Sequence, residues 1–311
     1  MKKNITKIKI GQAGAVSLEI PILKITGSKH GKKALIVCGI HGNEYTGLLV
    51  ISNILERIKD IKGELWIIPS ANSLAQALNS RINPLDLYDL NRKFPGNKSK
   101  EPTDRIAAEI FDIAKNMDAV LDFHTFEDPT VVTNIFMNCG SNETKKKTLE
   151  FIKLFDPDIV WEMNIKSKDE LKYVTALGPK LSFAGVPNVA IELPQSYNIS
   201  SEQIERAVGG TIKVLNSLEI TKLSDVKKSR KLLFVEHKEF DSDISGIFVT
   251  KRSLLDEVKK GDTVGFVIDI TTFKKTKIRS HENGILMVLK DNQFVTTGGR
   301  LFTVGKIKRN K

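Results

Sequence analysis

Ala34-Leu-Ile-Val-Cys-Gly-Ile40 is an unbroken apolar run, and the residue spacing changes just after it. A strand with no polar side chain on either face must be covered on both, the situation of a central strand in an α/β sheet. Farther on, Leu48, Ile51, Leu55 and Ile58 fall three and four apart, as on one face of a helix. Between strand and helix lies His41-Gly-Asn-Glu44-Tyr-Thr-Gly47. A Gly-flanked turn past the carboxyl end of the strand therefore presents an imidazole and a carboxylate. Open α/β sheets build their sites there, and two such groups three residues apart can reach one divalent ion.

The alternation continues along the chain. Residues 5–10 and 17–26 are extended, joined by Gly11-Gln-Ala-Gly14, and 64–69, 119–123, 130–139, 159–163 and 186–193 have the pattern of strands. Helices are predicted over 103–115 and 145–155. Another opens at the capping box Ser200-x-x-Gln203, with Ile204, Ala207, Val208, Ile212 and Leu215 on one face. Strands alternating with helices to residue 217 predict an α/β domain with a largely parallel sheet. From about 226 the pattern is short β-rich runs with Gly and Asp turns, which predicts a separate all-β domain. The expected division is 1–225 and 226–311. Residues 70–101 are rich in Asn, Asp, Pro and Gly and have little periodicity, and a long irregular segment inside a compact domain usually carries function.

Bulk properties exclude several classes. With 41% hydrophobic and 27% charged residues, the composition is that of an ordinary globular protein. Cys38 and Cys139 make no disulfide framework, which favours a reducing, cytoplasmic setting. The amino terminus carries lysines with no apolar run behind them, and no segment has the length of a membrane-spanning helix, so neither a secretion leader nor a membrane partner is expected. The net charge of +11 is concentrated late: residues 226–311 hold 19 Lys or Arg against 10 Asp or Glu, and the first 225 hold 29 against 27. A basic surface attracts anions and nucleic acid. No aromatic stacking series or zinc-finger spacing accompanies this one, so a solvated lysine surface without a nucleic-acid partner is expected. Nothing in the sequence argues against a homo-oligomer.

Three candidate metal ligands, His41, Glu44 and His124, fall at the ends of two predicted core strands. Two imidazoles and one carboxylate form a usual catalytic zinc set, leaving a fourth position open. Each has an ordinary alternative as a turn or strand-end side chain; the shared strand context is what favours a metal. Glu192 ends another buried strand, where an unpaired carboxylate is costly, and is the candidate general base. Arg81, Asn91 and Arg92 lie in the irregular segment, where guanidinium groups suit a carboxylate or a developing oxyanion.

His41-Gly-Asn-Glu44, Asp89-Leu-Asn-Arg-Lys-Phe-Pro-Gly96, Asp122-Phe-His124 and Ala190-Ile-Glu192 together resemble the succinylglutamate desuccinylase/aspartoacylase family, in the family's order and over residues 34–195. The resemblance implies a zinc-carboxypeptidase-like three-layer α/β/α domain with a mixed sheet and a biotinyl-like C-terminal β domain. It implies one zinc ion per chain on His41, Glu44 and His124, and water activation by Glu192. Asn91 and Arg92 would hold a substrate carboxylate, and Arg81 would polarise the scissile carbonyl. Some members use a further arginine ahead of the late glutamate for a second carboxylate. Here Gly178-Pro-Lys-Leu-Ser-Phe-Ala-Gly185 has only Lys180, so the resemblance selects neither N-acetylaspartate nor N-succinylglutamate.

The expectation is a zinc-dependent deacylase acting on a small-molecule N-acyl amino acid or similar amide. The competing readings are a zinc carboxypeptidase trimming peptides and a basic-surface binding protein whose salt-sensitive binding would survive chelation.

Overall fold

The computed structural model describes residues 1–223 and 231–308. The chain opens with a hairpin of β1 (Lys2–Ala13) and β2 (Val16–Thr26), followed by β3 (Lys33–Cys38), α1 (Thr46–Arg57), β4 (Glu64–Ile68) and the short α2 (Ser73–Ala77). A 3-10 turn at Leu90–Arg92 precedes α3 (Pro102–Ala114), β5 (Ala119–Thr125), β6 (Thr133–Met137), α4 (Asn142–Phe155) and β7 (Ile159–Met163). A second 3-10 turn, Leu171–Tyr173, leads to α5 (Leu177–Phe183), β8 (Asn188–Leu193) and α6 (Ser201–Ser217). The rest is strand: β9 (Phe234–Asp241), β10 (Gly246–Thr250), β11 (Glu257–Val258), β12 (Thr263–Ile268), β13 (Lys275–Arg279), β14 (Gly284–Leu289), β15 (Gln293–Val295) and β16 (Arg300–Ile307).

β4, β3, β5 and β8 are mutually parallel at the centre of a sheet ordered β1-β2-β4-β3-β5-β8-β6-β7-β9-β16-β14-β11. The apolar run of β3 shows why two helical layers are needed. Ala34, Ile36 and Cys38 point into one core with Val50, Ile51 and Ile54 of α1 and with α4 and α6. Leu35 and Val37 point the other way, into a core with Ile106, Ala107 and Ile110 of α3 and Leu177 and Leu181 of α5. Each fully buried aliphatic side chain contributes roughly 1.5–3 kcal/mol. The result is the expected mixed, largely parallel α/β/α arrangement.

β3 stops at Cys38, two residues short of the apolar run, because Gly39 turns into the left-handed region at φ 71°. Gly42 is also constrained: a side chain there would meet the Ala75 backbone within 2.1 Å, so the turn carrying His41 packs directly on α2. α5 is an element the sequence did not announce. It is short and carries Gly178-Pro179 in its first turn, where proline's missing N–H is harmless.

The C-terminal strands form an all-β region with a core around Phe248, Val264, Leu286 and Phe302. Four of them make a second sheet, β13-β12-β10-β15. The other four are hydrogen-bonded into the main sheet, since β9 lies parallel to β7 through Val160↔Phe234 and Trp161↔Val235. The loop after β5 holds the same region, with Val131 N–H donating to the Met287 carbonyl and Leu289 N–H to that of Pro129. The boundary expected at 225/226 lies outside the described residues. No helix among the described residues is long and apolar enough to cross a membrane.

Candidate metal centre and active-site cleft

Strand register builds the site. In the parallel pairing of β5 with β8, His124 stands directly beside Glu192, and Val37 and Cys38 of β3 stand beside Asp122 and Phe123. Three strand ends therefore open on one crevice, and the turn after β3 brings His41 and Glu44 to it. One ligand atom each from His41, Glu44 and His124 lies within 4.8 Å of the others, and all three side chains are buried.

Glu44 is the hub. Its Oε1 is 2.7 Å from His41 Nδ1 and accepts from Arg81 Nη1 at 3.1 Å. Its Oε2 is 2.9 Å from His124 Nδ1 and accepts from the Thr125 backbone N–H at 3.1 Å. Each imidazole has its other nitrogen on a carboxylate: His41 Nε2 is 3.1 Å from Asp89 Oδ1, and His124 Nε2 is 2.9 Å from Asp122 Oδ2. A carboxylate on Nε2 keeps the proton there and leaves Nδ1 as the metal-facing atom. The donor set, two Nδ1 and one carboxylate oxygen converging on a point, fits a divalent ion such as zinc.

The electrostatics agree. Burial disfavours charge on His41, but Glu44 and Asp89 outweigh it and raise its pKa. For His124 burial is likewise outweighed, by Asp122 and Glu44, and its pKa lies well above the ordinary value. Glu44 and Asp89 are themselves held well below the usual carboxylate range despite burial, by these imidazoles. Glu192 behaves oppositely. Burial, with the Glu44 charge added and His124 opposing, pushes its carboxyl up to about 7.

The other expected residues line the same cleft of about 230 Å³. Arg81 is paired with Glu44 and, at 3.4 Å, with Asp89. Asn91 accepts the Leu177 backbone N–H at 3.0 Å, tying the loop to α5. Arg92 lies over the Tyr173 ring at 4.7 Å, donates to the Asn91 carbonyl and makes no ion pair among the described residues.

Sequence reasoning gave no role to Asp89 or Asp122, although both sit in the quoted motifs. Asp122 is two residues before His124 on one strand, hence on the same face, a usable signal. Asp89 also caps the 3-10 turn by accepting the Asn91 N–H at 2.8 Å. Tyr173, His237, Glu239 and Arg300 reach the cleft only through tertiary pairing and left no local signal. Asp122→Asn should keep the three ligands yet weaken metal binding by about ten- to a hundredfold, read by competition with a chromogenic chelator. Unchanged affinity would remove Asp122 from the centre.

The family model of the succinylglutamate desuccinylase/aspartoacylase catalytic domain matches residues 30–218. N-alpha-acetyl-L-2,4-diaminobutyric acid deacetylase of Halomonas elongata is 22% identical over 321 residues, spanning 94% of this chain and 87% of that protein. The crystal structure of succinylglutamatedesuccinylase/aspartoacylase from Rhodobacter sphaeroides is similar with a TM-score of 0.85 at 18% identity, over 99% of this chain and 96% of that one. A metallo-carboxypeptidase from Burkholderia cenocepacia shares the architecture more distantly, with a TM-score of 0.51 at 16% identity over 68% of this chain and 62% of its own. The structural likenesses bear on the fold, a carboxypeptidase-like α/β/α domain with a β region behind it. The family match bears on descent, and it spans the strand ends that carry His41, Glu44, His124 and Glu192: this chain belongs to the succinylglutamate desuccinylase/aspartoacylase family.

Proposed function

We propose that the chain is a zinc-dependent amidohydrolase that removes the acyl group from an N-acyl amino acid or a similar small amide. The observation that carries this reading is the convergence of His41 Nδ1, Glu44 and His124 Nδ1 with Glu192 beside them in strand register. His41, Glu44 and His124 would hold one ion per chain. When bound, zinc supplies Lewis acidity, polarising an acyl carbonyl and acidifying water.

The chain's own residues do the rest. Glu192, beside His124 in strand register, takes the proton of the attacking water and passes it to the leaving amine nitrogen. The products are a carboxylic acid and a free amine. Asn91 and Arg92 hold the substrate's carboxylate, Arg92 having no ion pair among the described residues. Arg81, on the same wall, is placed to meet charge developing on the acyl oxygen. Arg92→Ala should lower kcat/KM about ten- to a hundredfold, mainly through KM, as expected for a lost charged hydrogen bond. A fall in kcat alone would place Arg92 elsewhere in the reaction.

The relative's named substrate, an acetylated diamino acid, is a small amide of this kind. The small cleft, walled by His237, Glu239 and Arg300, favours such a substrate over a long peptide. Hydrolysis of N-acetyl amino acids, compared with that of peptides, tests this directly; activity confined to peptides would make the chain a carboxypeptidase. Two buried free thiols, Cys38 and Cys139, support a reducing, cytoplasmic setting.

A further inference from the structure

The cleft has two chemically distinct ends joined by an aromatic wall. Arg92 lies on Tyr173, and Tyr173 meets Trp161 edge-on at 5.8 Å. Trp161 stacks on His237 at 4.2 Å, and His237 Nδ1 lies 3.9 Å from Glu239 Oε1. A guanidinium thus stands at one end and a carboxylate at the other. His237 and Glu239, two apart on β9, share the strand face turned to the cleft.

Two guanidinium groups that reach the cleft are already committed. Arg300 donates twice to Asp128, at 2.9 and 3.0 Å, and lies 3.5 Å from Glu239. Arg81 is committed to Glu44 and Asp89. One acceptor is not: His237 Nε2 has no partner among the described residues, although the His237 side chain is only 7% exposed. Glu239 supplies the carboxylate of this end, open to solvent beside Arg300. Burial, with Arg300, Lys172 and Lys238, pushes the His237 pKa down to about 3, so the ring is neutral. Its proton belongs on Nδ1, which faces Glu239, and Nε2 is then a bare acceptor. A solvent-facing carboxylate, an orphaned imidazole nitrogen and an indole call for a donor-rich cation.

We propose that Glu239, with His237 and Trp161 beside it, forms a subsite for a cationic side chain, so that the preferred substrates are N-acyl amino acids ending in a primary ammonium. This rests on the acyl-amino-acid reading above and adds a specificity determinant to it. The ammonium donates to Glu239 and His237 while Arg92 holds the α-carboxylate. A second carboxylate would face the Glu239 carboxylate, which disfavours dicarboxylic substrates by repulsion.

The test compares Nα-acetylornithine, N-acetylnorvaline and N-acetylglutamate on the zinc-loaded protein. The expected order of kcat/KM is cationic, then neutral, then anionic. In Glu239→Gln the ratio of cationic to neutral substrate should fall roughly tenfold or more, and Glu239→Asp should recover part of it. The ratio is the readout because a general loss of structure lowers both values together. A ratio unchanged within about twofold, or a wild-type preference for N-acetylglutamate, would overturn the subsite and leave the hydrolase reading intact. Failure to hydrolyse any of the three would overturn that reading and the subsite with it.

Discussion

Glu192→Gln should reduce turnover of the best N-acyl amino acid by about a thousandfold or more, within the span seen when a general base is removed, while one ion stays bound. The amide keeps the shape of the side chain and removes its capacity to take a proton. The same substitution carries an internal control. In the folded, metal-free chain this carboxyl holds its proton up to about 7, whereas an ordinary glutamate loses it above 4.5. Between those values the unfolded chain has released a proton that the folded chain keeps, so stability falls as pH rises through the window. Glutamine has no such proton to lose. The metal-free variant should therefore be at least as thermally stable as the parent at pH 8. A variant that is inactive and also less stable would mean that Glu192 is structural.

His124→Ala and His41→Ala should each abolish stoichiometric metal binding and, with it, activity. Loss of one of three ligands leaves an open centre, and Asp122 or Asp89 loses its imidazole partner as well. Metal uptake in the parent should also depend on pH with a defined sign. Without an ion the cluster gathers Glu44, Asp89 and Asp122 around two imidazoles, and their pKa values are raised despite burial. An ion can bind Nδ1 only after that atom's proton has left, so binding expels protons from both rings. Apparent affinity should thus fall as pH drops through the raised values. By linkage, these imidazoles stabilise the metal-free fold fully below 6.5 and progressively less as pH rises through their folded values. Added metal should give its largest gain in thermal stability on the alkaline side. A pH-independent affinity would contradict ligation through Nδ1.

Much of this was legible from local pattern. The apolar run 34–40 demanded cover on both faces and has it, and the late capping box Ser200-x-x-Gln203 opens α6 with both reciprocal hydrogen bonds in place. Strand ends announced His41, Glu44, His124 and Glu192, because a polar group after a buried run has few reasons to be there. Long-range register was not legible. That β9 pairs with β7 follows from no local spacing, and this pairing alone brings His237 and Glu239 to the cleft. The change from mixed to β-only pattern near 226 is a local property, and sheet continuity is not read from it. Asp89 and Asp122 went without a role because a carboxylate behind a ligand is recognised by whom it touches, not by spacing alone. The orphaned nitrogen of His237 is likewise a property of its surroundings.

The central claim is tested most directly by adding zinc stepwise to metal-stripped protein while following hydrolysis of an N-acetyl amino acid. No activity is expected at the start, then a linear rise and a plateau at one zinc per chain. Activity that is full before zinc is added, or absent after several equivalents, would contradict it.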